Sequence, residues 1–322
     1  MQEDSLPPDV RRGRLPGDRF IRRRRLPRVG LSRVLGVPGL FSSAYGNVGS
    51  SIYYALGVTA LFALGLTPAV FVFAGLLFGA TALTYAEGSS AMPEAGGSST
   101  FARRGFNELV SFIAGWALML DYIVTIAISA FFVSNYLGVF LPVLKEWPAN
   151  SLFGIGVVTF LAAVNVIGVK ESTGINVLLA VLDLATQALL VVLGLFLLLN
   201  IGTLIDNVHW GVAPTWSRLL FGISISMIAY TGIETVSNQS EETRNPGKNV
   251  PRSVGLVFVA VIVLYFFISI IALSAMPVVF DPEQQKYVSE VGTKYLSDPV
   301  VGIVRHLPDY LPDVIQPVLA GW

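Results

Sequence analysis

Gly46-Asn47-Val48-Gly49-Ser50-Ser51-Ile52-Tyr53 interrupts one hydrophobic segment of the chain, and Ile228-Ala229-Tyr230-Thr231-Gly232-Ile233-Glu234 interrupts another. Each sits inside a run otherwise apolar enough to cross a bilayer. Lipid offers no hydrogen-bond partners, so a spanning helix must satisfy its backbone internally. A helix that gives up those bonds in mid-membrane needs a cavity that uses the freed groups. Paired interruptions of this kind point to the substrate site of a secondary transporter.

The rest of the chain fits a membrane setting. Of its 322 residues, 53% are hydrophobic and only 13% charged, where a soluble domain carries about a quarter charged residues. The mean hydropathy is +0.67. There is no cysteine, which removes disulfides, thiolate metal sites and a cysteine nucleophile. Two histidines, His209 and His306, fall in expected loops, so no histidine-rich metal site is available. No phosphate-cradling glycine loop, zinc-protease helix or nucleophile–histidine pair occurs. The chain therefore reads as a non-enzyme without cofactor or metal, and transport would draw on an ion gradient or on exchange.

Scanning for runs near 20 apolar residues gives seven spans, near 38–61, 68–91, 107–141, 153–169, 174–200, 217–238 and 253–277, with another run beginning at Leu311. The fourth is short for a span, and the third must tilt or project. Basic residues set the orientation. Ten arginines, from Arg11 to Arg33, crowd the N-terminal tail. A nucleic-acid arm or a secretory signal would also be arginine-rich, but no small-residue cleavage site follows the first apolar run. The tail reads instead as a cytoplasmic segment obeying the positive-inside rule and touching anionic lipid headgroups, with no nucleic-acid partner. With the tail inside, the inner loops hold Arg103, Arg104, Lys170, Arg244, Lys248 and Arg252. The outer loops hold Lys145, Arg218, Lys286, Lys294 and Arg305. The loops alone are nearly balanced, and the tail decides.

Spans 1 and 6 then cross in opposite directions. A five-helix unit, being odd, must return inverted when repeated. The expected organisation is a cytoplasmic tail at 1–36, a first five-helix repeat at 37–201, and an incomplete second repeat at 202–322 whose 278–310 segment is an extracellular loop. On this reading the chain is a fragment of a longer protein.

The interruptions also suggest a ligand. At Gly49, Ser50 and Ser51 the backbone leaves helical geometry at low cost. The freed N–H groups begin a half-helix whose positive dipole end suits a carboxylate. A small-residue packing face would explain the same glycines. At Thr231 and Gly232, carbonyls ending a half-helix would receive an ammonium group. Two such ends facing one another suit a zwitterion, which an α-amino acid is. Carboxylates inside spans are functional candidates by default. Glu87 lies near a span end and reads as structural. Asp121 shares a helix face with Leu118, Thr125 and Ser129, a cavity-lining stripe. Asp183, between Leu182 and Leu184, is a candidate carrier of a coupling proton, with a satisfied structural carboxylate as the other reading. Glu234 follows the second interruption and is open between structure and coupling.

These residues resemble the amino acid–polyamine–organocation superfamily of permeases. Gly49-Ser50-Ser51-Ile52-Tyr53 is similar to that family's G-[ST]-G-[IV]-F, with serine at the third position. Tyr85-Ala86-Glu87 through Pro93-Glu94-Ala95-Gly96-Gly97, Gly115-Trp116-Ala117-Leu118, and Tyr230-Thr231-Gly232-Ile233-Glu234 follow in family order. Glu241-Glu242-Thr243-Arg244-Asn245-Pro246 with Asn249-Val250-Pro251-Arg252 resembles its E-[EV]-x-x-N-P-x-x-[ND]-[IV]-P-[RK]. The resemblance implies an all-α membrane protein with a leucine-transporter-like inverted-repeat bundle. It implies that Ser50, Ser51 and their amides, beside Gly49 and Ile52, hold a substrate carboxylate. Carbonyls near Val48, Ile228 and Thr231, beside Gly232, would hold its amine. Proton-coupled members place a lysine where Asp183 falls. The expectation is a plasma-membrane permease for amino acids or related amines, coupled to protons more readily than to sodium. A transport-deficient sensor of the same fold and a cation pathway are the competing functions.

Overall fold

The computed structural model describes residues 33–307, apart from residue 168 and the side chains of 167–172. The arginine tail up to residue 32 and the run beginning at Leu311 lie outside the described residues. The chain forms α1 (Val37–Val48), α2 (Ile52–Ala63), α3 (Thr67–Ala91), α4 (Ser98–Gly105), α5 (Glu108–Leu137), α6 (Ala149–Ile167) and α7 (Val169–Leu197). There follow α8 (Ile201–Asp206), α9 (Trp216–Ser226), α10 (Glu234–Asn238), α11 (Pro246–Ala275), β1 (Val278–Asp281), β2 (Lys286–Ser289) and α12 (Pro299–Arg305).

Among the described residues, six helical stretches are long and apolar enough to cross a membrane, and the first, Val37–Ala91, is 55 residues long. At 1.5 Å per residue that is about 82 Å, more than twice a hydrocarbon core of about 30 Å. It doubles back at Leu64, whose φ of 48° and ψ of −128° break the helix between α2 and α3. That geometry is unusual for a bulky residue, and buried packing holds Leu64 in it. The stretch thus makes two crossings, and all seven expected spans are present.

Two sets of ties fix which ends lie together. Near the start of α1, Leu35 N–H donates to Glu242 O at 3.0 Å and Arg244 N–H to Leu35 O at 2.8 Å. At the other end, Arg218 Nη2 donates to Leu61 O at 2.9 Å, and Asn207 Nδ2 to Leu273 O at 2.9 Å. α1–α2 and α9–α10 therefore run in opposite senses. α11 packs along α3 at the centre. Gly79 of α3 permits the approach, because a Cβ there would lie 2.5 Å from the Phe258 ring. Half of the apolar window of α11 is buried, against 6% for α6. α11 is thus a core helix, and α6 lies at the margin with its apolar surface outward, as lipid requires.

The 278–310 segment is more than a loop. β1 and β2 form an antiparallel hairpin in which Val278 faces Ser289 and Asp281 faces Lys286. α12 packs against α2 and α11. Lys145 Nζ, before α6, reaches Asp298 Oδ2 at 2.8 Å at the start of α12. α4 and α8 are further short helices at the two ends of the bundle.

Candidate functional site

The first interruption is a single tight 3-10 turn, Gly49–Ser51, rather than an unwound stretch. The backbone stays right-handed throughout: Gly49 has φ −64° and ψ −31°, and Ile52 has φ −58° and ψ −32°. Ser50 Oγ donates back to Gly46 O at 2.6 Å and Ser51 Oγ to Asn47 O at 3.2 Å. These hydroxyls meet the carbonyls that the tighter turn leaves over. Two further carbonyls are capped from other helices. Tyr265 Oη of α11 donates to Val48 O, and Gln187 Nε2 of α7 donates to Gly49 O at 3.1 Å. The open half-helix N-terminus expected here for a carboxylate is therefore not formed.

The second interruption does unwind. After α9 comes a 3-10 turn, Met227–Tyr230; Thr231 is then extended, with φ −69° and ψ 150°. Gly232 follows at φ +118°. Glu234 bends back so that its Oε2 accepts the Gly232 N–H at 3.0 Å. Thr231 Oγ1 donates to Ile228 O at 3.0 Å. The Tyr265 hydroxyl that reaches Val48 O also lies 3.0 Å from Ala229 O. One phenol thus bridges both interruptions. They meet directly at Gly232, where a Cβ would lie 2.7 Å from Asn47 Cγ.

Beside this crossing is a cavity of about 730 Å³, walled by α1, α2, α5, α7 and the segment from α10. Ser50 and Asp183 line it, together with Asn47, Tyr53, Thr235 and Gln239. Asn47 Nδ2 donates to Thr235 Oγ1 at 3.1 Å, joining the walls that the two interrupted helices supply. Asp183 is held in its wall by two donors. Tyr53 Oη donates to Oδ1 at 2.7 Å and Gln187 Nε2 to Oδ2 at 2.9 Å. Gln187 therefore links Asp183 to the Gly49 carbonyl of the first interruption. The Tyr45 phenol is buried against the same carboxylate without a hydrogen bond of good geometry.

The other sequence candidates stand elsewhere. Val48, Ser51 and Ile52 are buried behind the cavity, as is Gly49. Ile228 is half-exposed, and its carbonyl is already engaged by Thr231. Asp121 is outside the cavity lining although Ser129, on its helix face, is within it. Asp121 lies instead in electrostatic reach of Tyr54, Tyr85, Tyr122 and Glu234. Glu234 is buried, and its Oε1 has no hydrogen bond of good geometry. Glu87 is exposed. Gln187, Tyr265 and Gln239 were not singled out from the sequence. Gln187 carried a readable signal, because it follows Asp183 by one helical turn and shares its face.

Interrupted antiparallel helices beside a cavity of mixed polar and apolar lining, in a chain with six helical stretches apolar enough to cross a membrane among the described residues, mark a multi-pass membrane protein. Residues 35–281 match the amino acid permease family, and the chain belongs to it. It is 30% identical over 251 residues to the methylthioribose transporter of Bacillus subtilis, an alignment covering 71% of this chain and 52% of that protein. It is 26% identical over 263 residues to cationic amino acid transporter 4, vacuolar, of Arabidopsis thaliana, covering 77% and 44%. It is 27% identical over 215 residues to the low-affinity putrescine importer PlaP of Escherichia coli, covering 64% and 46%. The chain spans about half the length of the curated relatives it matches.

Proposed function

We propose that the protein is a secondary active permease that moves amino acids or related amines by alternating access, through proton-coupled symport or exchange. The observation that carries this reading is the cavity shared by the two interrupted helices, with Asp183 tied through Gln187 to the first interruption. A carboxylate in that position is a site for the coupling proton, with Glu234 the second candidate. Relatives named for amino acid, putrescine and methylthioribose transport support a small polar solute. The opposed senses of α1–α2 and α9–α10 support two inverted repeats, the first at 37–201 and the second beginning at 202.

Saturable, competitor-sensitive counterflow in proteoliposomes made with the complete protein is the expected result. Binding without flux would make it a sensor, and non-saturable flux would make it a cation pathway. Ser50→Leu should abolish ligand binding while membrane insertion persists, because the larger side chain fills the cavity beside Asp183. Undiminished affinity in purified Ser50→Leu protein would refute this placement.

The arginine tail supports a cytoplasmic N-terminus, and the plasma membrane is the proposed location. Residues 1–322 hold no cysteine, so a thiol introduced into this stretch reports its orientation once any cysteine elsewhere in the complete protein is replaced. Gln284→Cys, at the exposed hairpin tip, should react with an impermeant maleimide on intact cells. Gly105→Cys, exposed at the opposite end, should react only after permeabilisation. The reverse pattern would invert the orientation.

A further inference from the structure

Among the described residues, the cavity wall carries one carboxylate, Asp183, and no lysine, arginine or histidine. A charged group at membrane depth is costly unless it is neutralised. Among the described residues, the donors to Asp183 are neutral, the Tyr53 phenol and the Gln187 amide. From the neighbouring elements it faces Tyr45 of α1, Tyr53 of α2 and Tyr265 of α11, with Tyr136 of α5 next to Tyr53. A phenol is neutral below about pH 10 and becomes an anion above it, so none of them supplies a positive counter-charge to Asp183. The neutralising charge must be a proton or must arrive with the ligand.

The same wall is poorly equipped for a ligand carboxylate. The turn at Gly49–Ser51 opens no half-helix N-terminus. The Ser50 and Ser51 hydroxyls are directed onto Gly46 O and Asn47 O, and one N–H of the Asn47 amide is given to Thr235. An acceptor, by contrast, stands open. Gln239 Oε1 is buried in the lining without a partner. Along α7, Asn176, Leu179, Ala180 and Asp183 share the cavity face, and Asn176 to Asp183 spans about 10 Å at 1.5 Å per residue. That length, with a carboxylate at the inner end and further acceptors along the wall, suits an extended amine better than a compact zwitterion. Tyr53, Tyr54 and Phe132 line the same space, and aromatic walls are compatible with a cationic ligand.

We infer that Asp183 is the anchor for the ammonium group of an amine lacking a carboxylate, and that it binds this group in competition with a proton. The inference rests on the permease reading and narrows its substrate class and coupling. The step is Asp183-COOH plus R-NH3+ giving Asp183-COO− paired with R-NH3+, and a free proton. Only the carboxyl O–H bond breaks, and its proton leaves to water in the cavity. Ligand and proton then travel in opposite directions, which is exchange rather than symport.

Putrescine and L-leucine, titrated calorimetrically into the purified complete protein, test this. In buffers of different ionisation enthalpy, putrescine should release one proton per molecule bound at low pH. Its affinity should rise about tenfold per pH unit while Asp183 remains protonated in the empty protein. Leucine should bind at least tenfold more weakly. Asp183→Asn should lose at least tenfold in putrescine affinity together with the proton release, and Asp183→Glu should restore the release. Wild-type putrescine binding without proton release, or leucine binding as tightly as putrescine, would overturn the inference whatever the variants do. Counterflow separates the two readings. Leucine counterflow without proton release keeps the permease and overturns the role of Asp183. Putrescine binding with proton release but no counterflow of either ligand keeps Asp183 as the anchor and overturns the permease.

Discussion

A Gly232→Val protein is expected to lose ligand counterflow altogether and to melt well below the wild type. Gly232 is buried at φ +118°, a backbone conformation that side chains with a Cβ rarely adopt. Holding valine there costs about 1–3 kcal/mol in backbone strain. The new Cβ would also lie 2.7 Å from Asn47 Cγ, and overpacking of that kind costs about another 1–3 kcal/mol. The strain falls where the two interrupted helices cross, so relaxation must separate Asn47 from Thr235 and deform the cavity. Gly255→Ala provides the control, because a Cβ at that helical position meets nothing within 4 Å. Thermal stability in detergent and counterflow in liposomes are the measurements. Wild-type behaviour of Gly232→Val in both would show that this crossing is not needed.

Tyr265→Phe should separate turnover from binding. Its hydroxyl serves Val48 O and Ala229 O, one carbonyl from each interruption, in a fully buried position. The ring remains in Tyr265→Phe and keeps its packing on Phe71 and Tyr230, at centroid distances of 5.6 and 5.1 Å. What is lost is the donor, and a buried acceptor left without one costs about 1–3 kcal/mol. Tyr265 does not line the cavity, so KM should stay within a factor of about two while turnover falls about tenfold, the equivalent of about 1.4 kcal/mol. A raised KM with unchanged turnover would mean that Tyr265 touches the ligand and does not act by holding the two helices in register.

The spans were legible because a bilayer demands long apolar runs, and that demand is local. The run expected at 217–238 appears as Trp216–Asn238. The run expected at 107–141 appears as Glu108–Leu137. The 278–310 segment was not legible as structure. Its hairpin and α12 are short elements that gain their stability by packing on α2, and such packing leaves no periodic signal. The break between α2 and α3 was legible as the gap between the runs at 38–61 and 68–91, but its geometry was hidden, since Leu64 rather than the adjacent Gly65 takes the positive φ.

By itself, the sequence determined that the protein spans the membrane many times, that spans 1 and 6 are interrupted, and that Asp183 lies inside an apolar span. Those are properties of single segments, imposed by the absence of hydrogen-bond partners and counter-charges in lipid. The tertiary structure alone decided how each interruption is used. The two look alike in composition, yet one closes into a 3-10 turn and the other unwinds at Gly232. The difference lies in partners that come from distant helices: Gln187 and Tyr265 cap the carbonyls of the first, and Glu234 bends back to hold the second. Which freed backbone group remains open to a ligand depends on those contacts, and they form only when the helices assemble.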